Sequence, residues 1–550
     1  MRRHTNNSSN GRKSKFSGRR LSSVRGSLTS AVCLLVAVLC LVGCGMDGKT
    51  ASAKADKKVY AAIDKNWHDT FGSPTDHQVD PNTIRQDQAA AILDAVARTK
   101  TLTLDQAVQL ATLVAAEYRT EVELMYLTGL DQADAEHLYD FIPFGSASVN
   151  YEKSGSDETV FQQANVGMQK LLATGATVLT DLTVGYLDVR TGALRGGSSS
   201  IFQTAIVQPL LRGSDRLVVL ETLTQAQQNT LYAVRDFNRF RKTFCVSVVS
   251  DYYQVTELAQ RAVIAEDNAR TLEQLVSKME DLLAVGRLTR FELEEAKQDI
   301  LKARQDHLEK QKLYAETLDL FKVRLNIPPQ MDLDPSPQDW LMLPESLLAG
   351  TDWTEQKAVE IALTQRLDLA NTLDQIADAR RKIKVAEDAL GADLALVGVA
   401  APASGTARSR YELGLAGSLP LDRVTETNNY KRSLIVLTAQ ERLYEQQTHT
   451  IVSEVRKAWR DMAEAQTRYA LLKDARELAR KRLDNTTLML HYGRANTRDV
   501  LDAQEDLYDA EDDFASALTD YSIAQMNFLR DTDTLWVLPN GGYETRIAAQ

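Results

Sequence analysis

Two stretches of this chain, from about 214 to 285 and from Leu421 to Tyr492, hold neither glycine nor proline. In the first, Phe237, Phe240, Phe244, Val248, Tyr252, Val255, Ala259, Ala262, Glu266, Ala269, Leu272, Val276, Met279 and Leu283 advance by threes and fours with one polar lapse. That spacing keeps one helical face apolar, and at 1.5 Å per residue it predicts ~100 Å of helix, far beyond the usual globular length. In the second, Val455, Trp459, Met462, Gln466 and Tyr469 repeat the pattern. Alanines and glutamines among these positions suit helices packed around something wet; a solid coiled coil is the alternative.

The two stretches belong to a tandem duplication. Ala107-Val108-Gln109-Leu110-Ala111 recurs as Ala358-Val359-Glu360-Ile361-Ala362, offset by 251. Gly286-Arg287 with Glu292, Leu293, Glu295, Ala296 and Ile300 recurs as Gly493-Arg494 with Asp499, Val500, Asp502, Ala503 and Leu507, offset by 207. Pro209-Leu210 recurs as Pro420-Leu421 at offset 211, so 40 extra residues lie in the first half between Ala111 and Pro209. Three matches in one order mark a repeat architecture. Between the halves, Pro328, Pro329, Pro335, Pro337 and Pro344 form a connector that no helix is expected to cross.

Within each half the period changes from 3.6 to 2. Over Ala176 to Asp188 the alternate set Val178, Thr180, Leu182, Val184, Tyr186 is largely apolar, which predicts a strand. A Gly/Ser turn, Gly192 to Ser200, leads to Ile201–Gln208 and Pro209; in the second half Asp393–Ala401 and Arg410–Leu419 flank Pro402-Ala403-Ser404-Gly405. These strands approach the ~9 to 11 residues that tilted barrel strands need to cross a bilayer. About four strands cannot close a barrel, and unpaired edges are not tolerated in lipid, so spanning a membrane would require several copies. A small periplasmic sheet is the alternative.

The N-terminus carries an export signal. Up to Gly43 there is no acid, against eight cations from Arg2 to Arg25, and the apolar run Ala31–Val42 is too short for the ~20 residues of a membrane helix. Leu41-Val42-Gly43-Cys44 resembles a bacterial lipobox, which implies lipidation of Cys44 as the first mature residue; Gly45 implies sorting to the outer membrane. An ordinary signal peptide with an incidental cysteine is the alternative. Removal of residues 1–43 takes the net charge from −11 to −19 and leaves Cys245 as the one thiol outside the lipid site, so no intramolecular disulfide is possible in the mature chain. Such acidity excludes a nucleic-acid binder that relies on overall positive charge.

An exported lipoprotein of two such halves resembles the TolC family of outer-membrane efflux proteins over nearly all of Thr103 to Val537. The most specific matches are Gln208-Pro209-Leu210-Leu211-Arg212-Gly213, Gly493 through Asp506 with Val500-Leu501-Asp502-Ala503, and Arg530-Asp531-Thr532-Asp533-Thr534-Leu535-Trp536. The resemblance implies a mainly α chain with a small transmembrane β part, forming a homotrimer with a twelve-stranded barrel and a periplasmic α-helical tunnel. It also implies an inner-membrane pump and a periplasmic adaptor as partners, contact with outer-membrane lipid, and no nucleic acid. The expected organisation is a signal peptide (1–43), a tether (44–100) that could instead wrap the tunnel, a first repeat (101–327, strands about 146–210), a connector (328–353), a second repeat (354–538, strands about 393–420) and a tail (539–550). Gln208, Pro209, Leu210, Gly213, Pro420 and Leu421 would mark strand-to-helix re-entry, and Gly286, Arg287, Gly493 and Arg494 the hairpin tips that meet the adaptor.

The tips can also be read from their own residues. Gly286 and Gly493 stand where a helix ends with a left-handed residue; Thr289-Arg290-Phe291-Glu292 is a capping box, and Asn496-Thr497-Arg498-Asp499 is similar. Glu292 and Glu295, like Asp499 and Asp502, are three apart and share a face. Carboxylates in a first turn are favoured by the helix dipole without any pore. The resemblance implies instead that Asp499 and Asp502 form an acidic ring at the periplasmic constriction. The family's gate arginine falls here on Ala495, flanked by Arg494 and Arg498. His307 and His449 have no second ligand at metal spacing, and no phosphate-loop, nucleotide or nucleophile motif occurs, so neither metal nor cofactor nor catalysis is expected. The reading is a passive conduit in a tripartite efflux or type I secretion system; the alternative is an adaptor-type or structural coiled-coil lipoprotein without a pore.

Overall fold

The computed structural model describes residues 47–71, 84–155, 157–191, 197–284, 286, 288–341, 353–403, 408–538 and 542–545. The export signal, Cys44, Arg287, connector residues 342–352 and most of the tail lie outside the described residues.

Helices α1 (Gly48–Phe71) and α2 (Ile84–Thr99) precede a short strand β1 (Thr101–Leu102). The first repeat follows: α3 (Leu104–Val114), α4 (Ala116–His137), strands β2 (Ile142–Ser154), β3 (Asp157–Leu171), β4 (Thr177–Thr191) and β5 (Gly197–Pro209), one turn α5 (Arg216–Val219), then α6 (Glu221–Ala284) and α7 (Arg290–Arg324). After β6 (Asp334–Pro335) and α8 (Pro337–Leu341) comes the second: α9 (Glu355–Gln365), α10 (Leu367–Asp388), β7 (Asp393–Ala401), β8 (Arg410–Ser418), α11 (Val424–His491) and α12 (Thr497–Asp531), ending in the β9 (Leu535–Val537) and β10 (Tyr543–Thr545) pair. Corresponding helices match closely in length: 11 residues in α3 and α9, 22 in α4 and α10, 64 in α6 against 68 in α11, and 35 in α7 and α12. Even the caps recur, since Thr103 and Thr354 both accept the N3 amide.

The chain forms two compact units. One comprises Met1–Val59, Asp131–Ala226 and Arg381–Leu434, and among its described residues is a wholly antiparallel sheet in the order β2-β3-β4-β5-β7-β8. It has six strands, where the sequence predicts about four. The additional hairpin β2–β3 occupies most of the 40-residue excess of the first half. It gives little period-2 signal because Gly145, Ala147, Gln162 and Ala164 dilute its apolar face while Phe144 and Phe161 stand on the polar one. A count of twelve strands from three copies therefore does not follow from this sheet.

The other unit comprises Tyr60–Leu130, Gln227–Arg380 and Ile435–Gln550 and is built on the long helices. One cluster joins Ala269, Leu272, Val276 and Met279 of α6 to Leu293, Ala296 and Ile300 of α7 and Leu501 of α12. A second joins Ala358, Ile451, Val455, Met462, Tyr521 and Phe528. The segment 44–100 is helical over most of its described length: Ile63 and Trp67 of α1 are buried, and the Trp67 ring lies 6.2 Å from that of Phe237. The connector is tied down as well. β1 pairs in parallel with β6, and α8 supplies one helical turn within it. No helix among the described residues is long and apolar enough to cross a membrane.

Candidate functional site

Both helical hairpins turn on a glycine. Gly286 adopts φ +74° and donates its N–H to Leu283 O at 2.9 Å; Gly493 adopts φ +72° and donates to Leu490 O at 3.0 Å, while Arg494 N–H reaches Met489 O at 2.9 Å. These bonds satisfy the last carbonyls of α6 and α11. At the start of α7, Glu292 Oε2 accepts from Thr289 N–H (2.8 Å) and from the Thr289 hydroxyl (2.7 Å), which together hold the Glu292 carboxyl below the ordinary carboxylate range. At the start of α12, Asp499 Oδ2 accepts from Asn496 N–H at 2.8 Å.

The four acids singled out in the sequence thus divide. Glu292 and Asp499 are engaged in capping, whereas Glu295 and Asp502 converge on one cation. Arg498 donates to Glu295 Oε1 at 2.7 Å, its Nε lies 2.8 Å from Asp502 Oδ1, and Asp299 Oδ2 is 3.9 Å away. The neighbouring carboxylates, Asp502 foremost, raise the guanidinium pKa further. Beneath them Val500, Leu501 and Ala503 are buried, which turns Asp502 outward. Sequence reading missed the joining role of Arg498 and the part of Asp299; the signal was their four-residue spacing from Asp502 and Glu295. Arg494 is exposed and meets none of the four acids in a salt bridge. A cavity of about 150 Å³ adjoins the cluster, lined by Asn268, Asp299, Asp306, Arg498, Asp502 and Tyr508 among others, and the Tyr508 hydroxyl donates to Asp306.

In the sheet unit, the corner after β5 is stitched from several sides. Gln208 Nε2 donates to Thr174 O (2.9 Å) and Pro209 O (2.8 Å), Leu210 N–H to Leu394 O (2.7 Å), and Gly213, at φ +73°, donates its N–H to Asp388 Oδ2 (2.8 Å). Gly175, at φ +78°, lies so close that an added Cβ would stand 2.3 Å from Gly213 O and 2.8 Å from Pro209 Cγ. Gly175→Ala is therefore expected to cost about 1–3 kcal/mol from overpacking plus about 1–2 kcal/mol for the left-handed backbone. A lowered thermal midpoint of the purified chain, against an unchanged one for Gly197→Ala in open space, checks this. The matching corner after β8 lacks these stitches: Pro420 O accepts only the Arg423 side chain at 3.1 Å among the hydrogen bonds described, and Leu421 is 97% exposed.

No protein-family model and no curated protein matches this chain. Solved structures do. The outer-membrane channel VceC from Vibrio cholerae aligns with 78% of this chain and 95% of its own at TM-score 0.53 and 13% identity. CusC, described as forming a transmembrane channel, aligns with 84% and 96% at TM-score 0.56 and 14% identity. The open-state MtrE outer-membrane channel of Neisseria gonorrhoeae aligns with 78% and 88% at TM-score 0.55 and 15% identity. The chain shares the fold of these channels.

Proposed function

We propose that the chain is the outer-membrane channel of a tripartite efflux or type I secretion system, with three copies enclosing a passive conduit. The supporting observation is the sheet. Cross-strand register puts Val178, Leu182, Val184, Ile206, Leu394, Leu396, Leu413 and Leu415 on one face, while Asp181, Thr183, Gln203 and Glu412 lie on the other. One face suits lipid and the other water. Both edge strands are unpaired, and an open sheet in hydrocarbon would leave backbone groups without partners, so other copies must complete it. The long helices make a similar demand. Only Ile451, Val455, Ala458, Met462 and Ala465 of α11 are buried, leaving Ile435, Leu471 and Leu478 about two-thirds exposed.

On this reading Cys44 carries the lipid, the tips at Gly286, Arg287, Gly493 and Arg494 meet the adaptor, and the pump supplies the energy. Glu295, Asp299 and Asp502 surround the tunnel mouth, partly neutralised by Arg498. Asp499 and Glu292 serve first as helix caps. Native mass spectrometry of the extracted protein should give trimers that conduct in planar bilayers; a non-conducting monomer would overturn the proposal. Arg498→Ala removes the cation that Glu295 and Asp502 share, while Asp299 keeps Lys302 at 3.3 Å, so cation-over-anion permeability is expected to rise and magnesium to block at lower concentration. Conducting trimers with unchanged selectivity would remove these acids from the permeation path.

A further inference from the structure

We infer that the hairpin β2–β3 is a stretch of barrel wall, so that three copies close an eighteen-stranded barrel whose seams join β2 of one copy to β8 of the next. This rests on the channel reading above and assigns its wall.

Pairing argues first. β3 pairs with β4 from Glu158↔Thr191 to Leu171↔Thr177, with one register shift between Glu158 and Thr159, and β2 with β3 from Ile142↔Gln169 to Ser154↔Asp157. The outer edge of β4 is therefore occupied by β3 along its length, and a neighbouring copy cannot pair there without stripping the hairpin away. Face alternation continues through the hairpin. Val160, Val166 and Met168 of β3 share a face with Val178, Thr180 and Leu182 of β4, and Val149 and Tyr151 of β2 join them. Ser146, Ser148, Asn150, Gln163 and Asn165 fall on the face of Asp181. A hairpin standing outside a membrane wall has no reason to keep the lipid-type face in phase.

The hairpin is also seated. The Phe144 ring lies across Gly167, where a Cβ would stand 2.4 Å from it and 2.6 Å from Thr180 O, and Ser146 Oγ donates to Asn165 Oδ1 at 3.2 Å. Direction closes the argument. Every neighbouring pair is antiparallel, so after six strands β8 runs opposite to β2, and the two can pair in the same antiparallel sense. The exposed residues gather at these edges. All of β8 is exposed, with Tyr411 at 73% and Leu413 at 78%, and β2 exposes Val149 at 70% and Tyr151 at 60%. Because barrel diameter grows roughly linearly with strand number, eighteen strands make a wall about one and a half times as wide as twelve.

The seam can be tested by oxidative cross-linking of full-length protein in its native membrane. Ala416→Cys on the polar face of β8 is combined in turn with cysteine at Phe144, Ser146, Ser148, Asn150 or Glu152 of β2, and separately with Leu179→Cys or Thr183→Cys of β4; single-cysteine variants report unlinked trimers. A covalent trimer from at least one β2–β8 pair supports the inference. A covalent trimer from a β4–β8 pair, or native trimers with no β2–β8 link at any of the five positions, overturns it and leaves the channel reading standing. Monomers throughout overturn both. Electron cryo-microscopy of the wild-type trimer gives a measure free of substitutions: eighteen strands support the seam and twelve refute it.

Discussion

Asp533→Asn is expected to lower the unfolding free energy by about 3–5 kcal/mol, the usual consequence of stranding one member of a buried ion pair. The Asp533 carboxylate lies 3.0 Å from Lys242 Nζ and 3.4 Å from Arg239, and the Lys242 and Asp533 side chains are only 7% and 5% exposed. Lys242 also donates to Asp533 O at 3.0 Å, with Arg241 beside it on α6. Burial pushes the Lys242 pKa down, so the ammonium is already costly there and depends on its counter-ion. Backbone strain does not contribute to the expected loss. Asp533 sits at φ +63°, but its repeat counterpart at offset 207 is Asn326 at φ +53°, so asparagine is the residue that the other half uses at this position. The charge explanation makes a second demand: adding Lys242→Met should recover most of the loss. Thermal midpoints of the single and double variants check both, and an equal loss in the two would show that the charge is not the cause.

How legible such features are in the sequence depends on whether the residues that make them are local. The helical hairpins were readable because a left-handed glycine and a capping threonine lie within a few residues of each other, and each acts on its own backbone. Strands β4 and β7 could be read because their apolar alternation is dense. Strands β2 and β3 were not resolved within the strand region expected from about 146: glycine, alanine and glutamine dilute their apolar face, and the feature that shows them to be strands is their register with β4, a neighbour known only once the chain is folded. The acid cluster was half legible. Spacing showed that Glu295 and Asp502 share faces with Glu292 and Asp499, but only the fold brings α7 against α12 and lets Arg498 serve both. The exposed face of α11 and the loose corner at Leu421 are surfaces that the proposed trimer would cover, and no pattern within one chain identifies the residues that would do so.

The repeat offers the sharpest quantitative test. Offsets of 251 and 207 carry Leu102, Tyr252 and Phe321 of the first half onto Trp353, Trp459 and Phe528 of the second. Both trios assemble. The Tyr252 ring is 6.2 Å from Phe321 and its hydroxyl is 2.9 Å from Leu102 O, while the Phe528 ring lies 5.2 Å from Trp353 and 5.7 Å from Trp459. The first knot adds polar bonds, since the Tyr252 hydroxyl also meets Asp339 Oδ2 at 2.6 Å and accepts from Ser336 N–H at 3.2 Å, whereas Trp353 Nε1 is buried without a hydrogen-bond partner among the described residues. Among the described residues the second knot is therefore held by packing, with a fully buried Phe528 at its centre. Phe528→Ala is expected to cost about 3–5 kcal/mol, the range for deleting a buried aromatic ring whose cavity cannot collapse. Phe528→Leu should cost clearly less, because most of the volume stays filled. In the first knot Tyr252→Phe should cost about 1–3 kcal/mol by stranding buried polar groups while the packing remains. Thermal midpoints, followed through the fluorescence of Trp353 and Trp459, separate these cases. A loss of under about 1 kcal/mol for Phe528→Ala, well below that range, would mean that the second repeat is held mainly by neighbouring copies rather than by its own core.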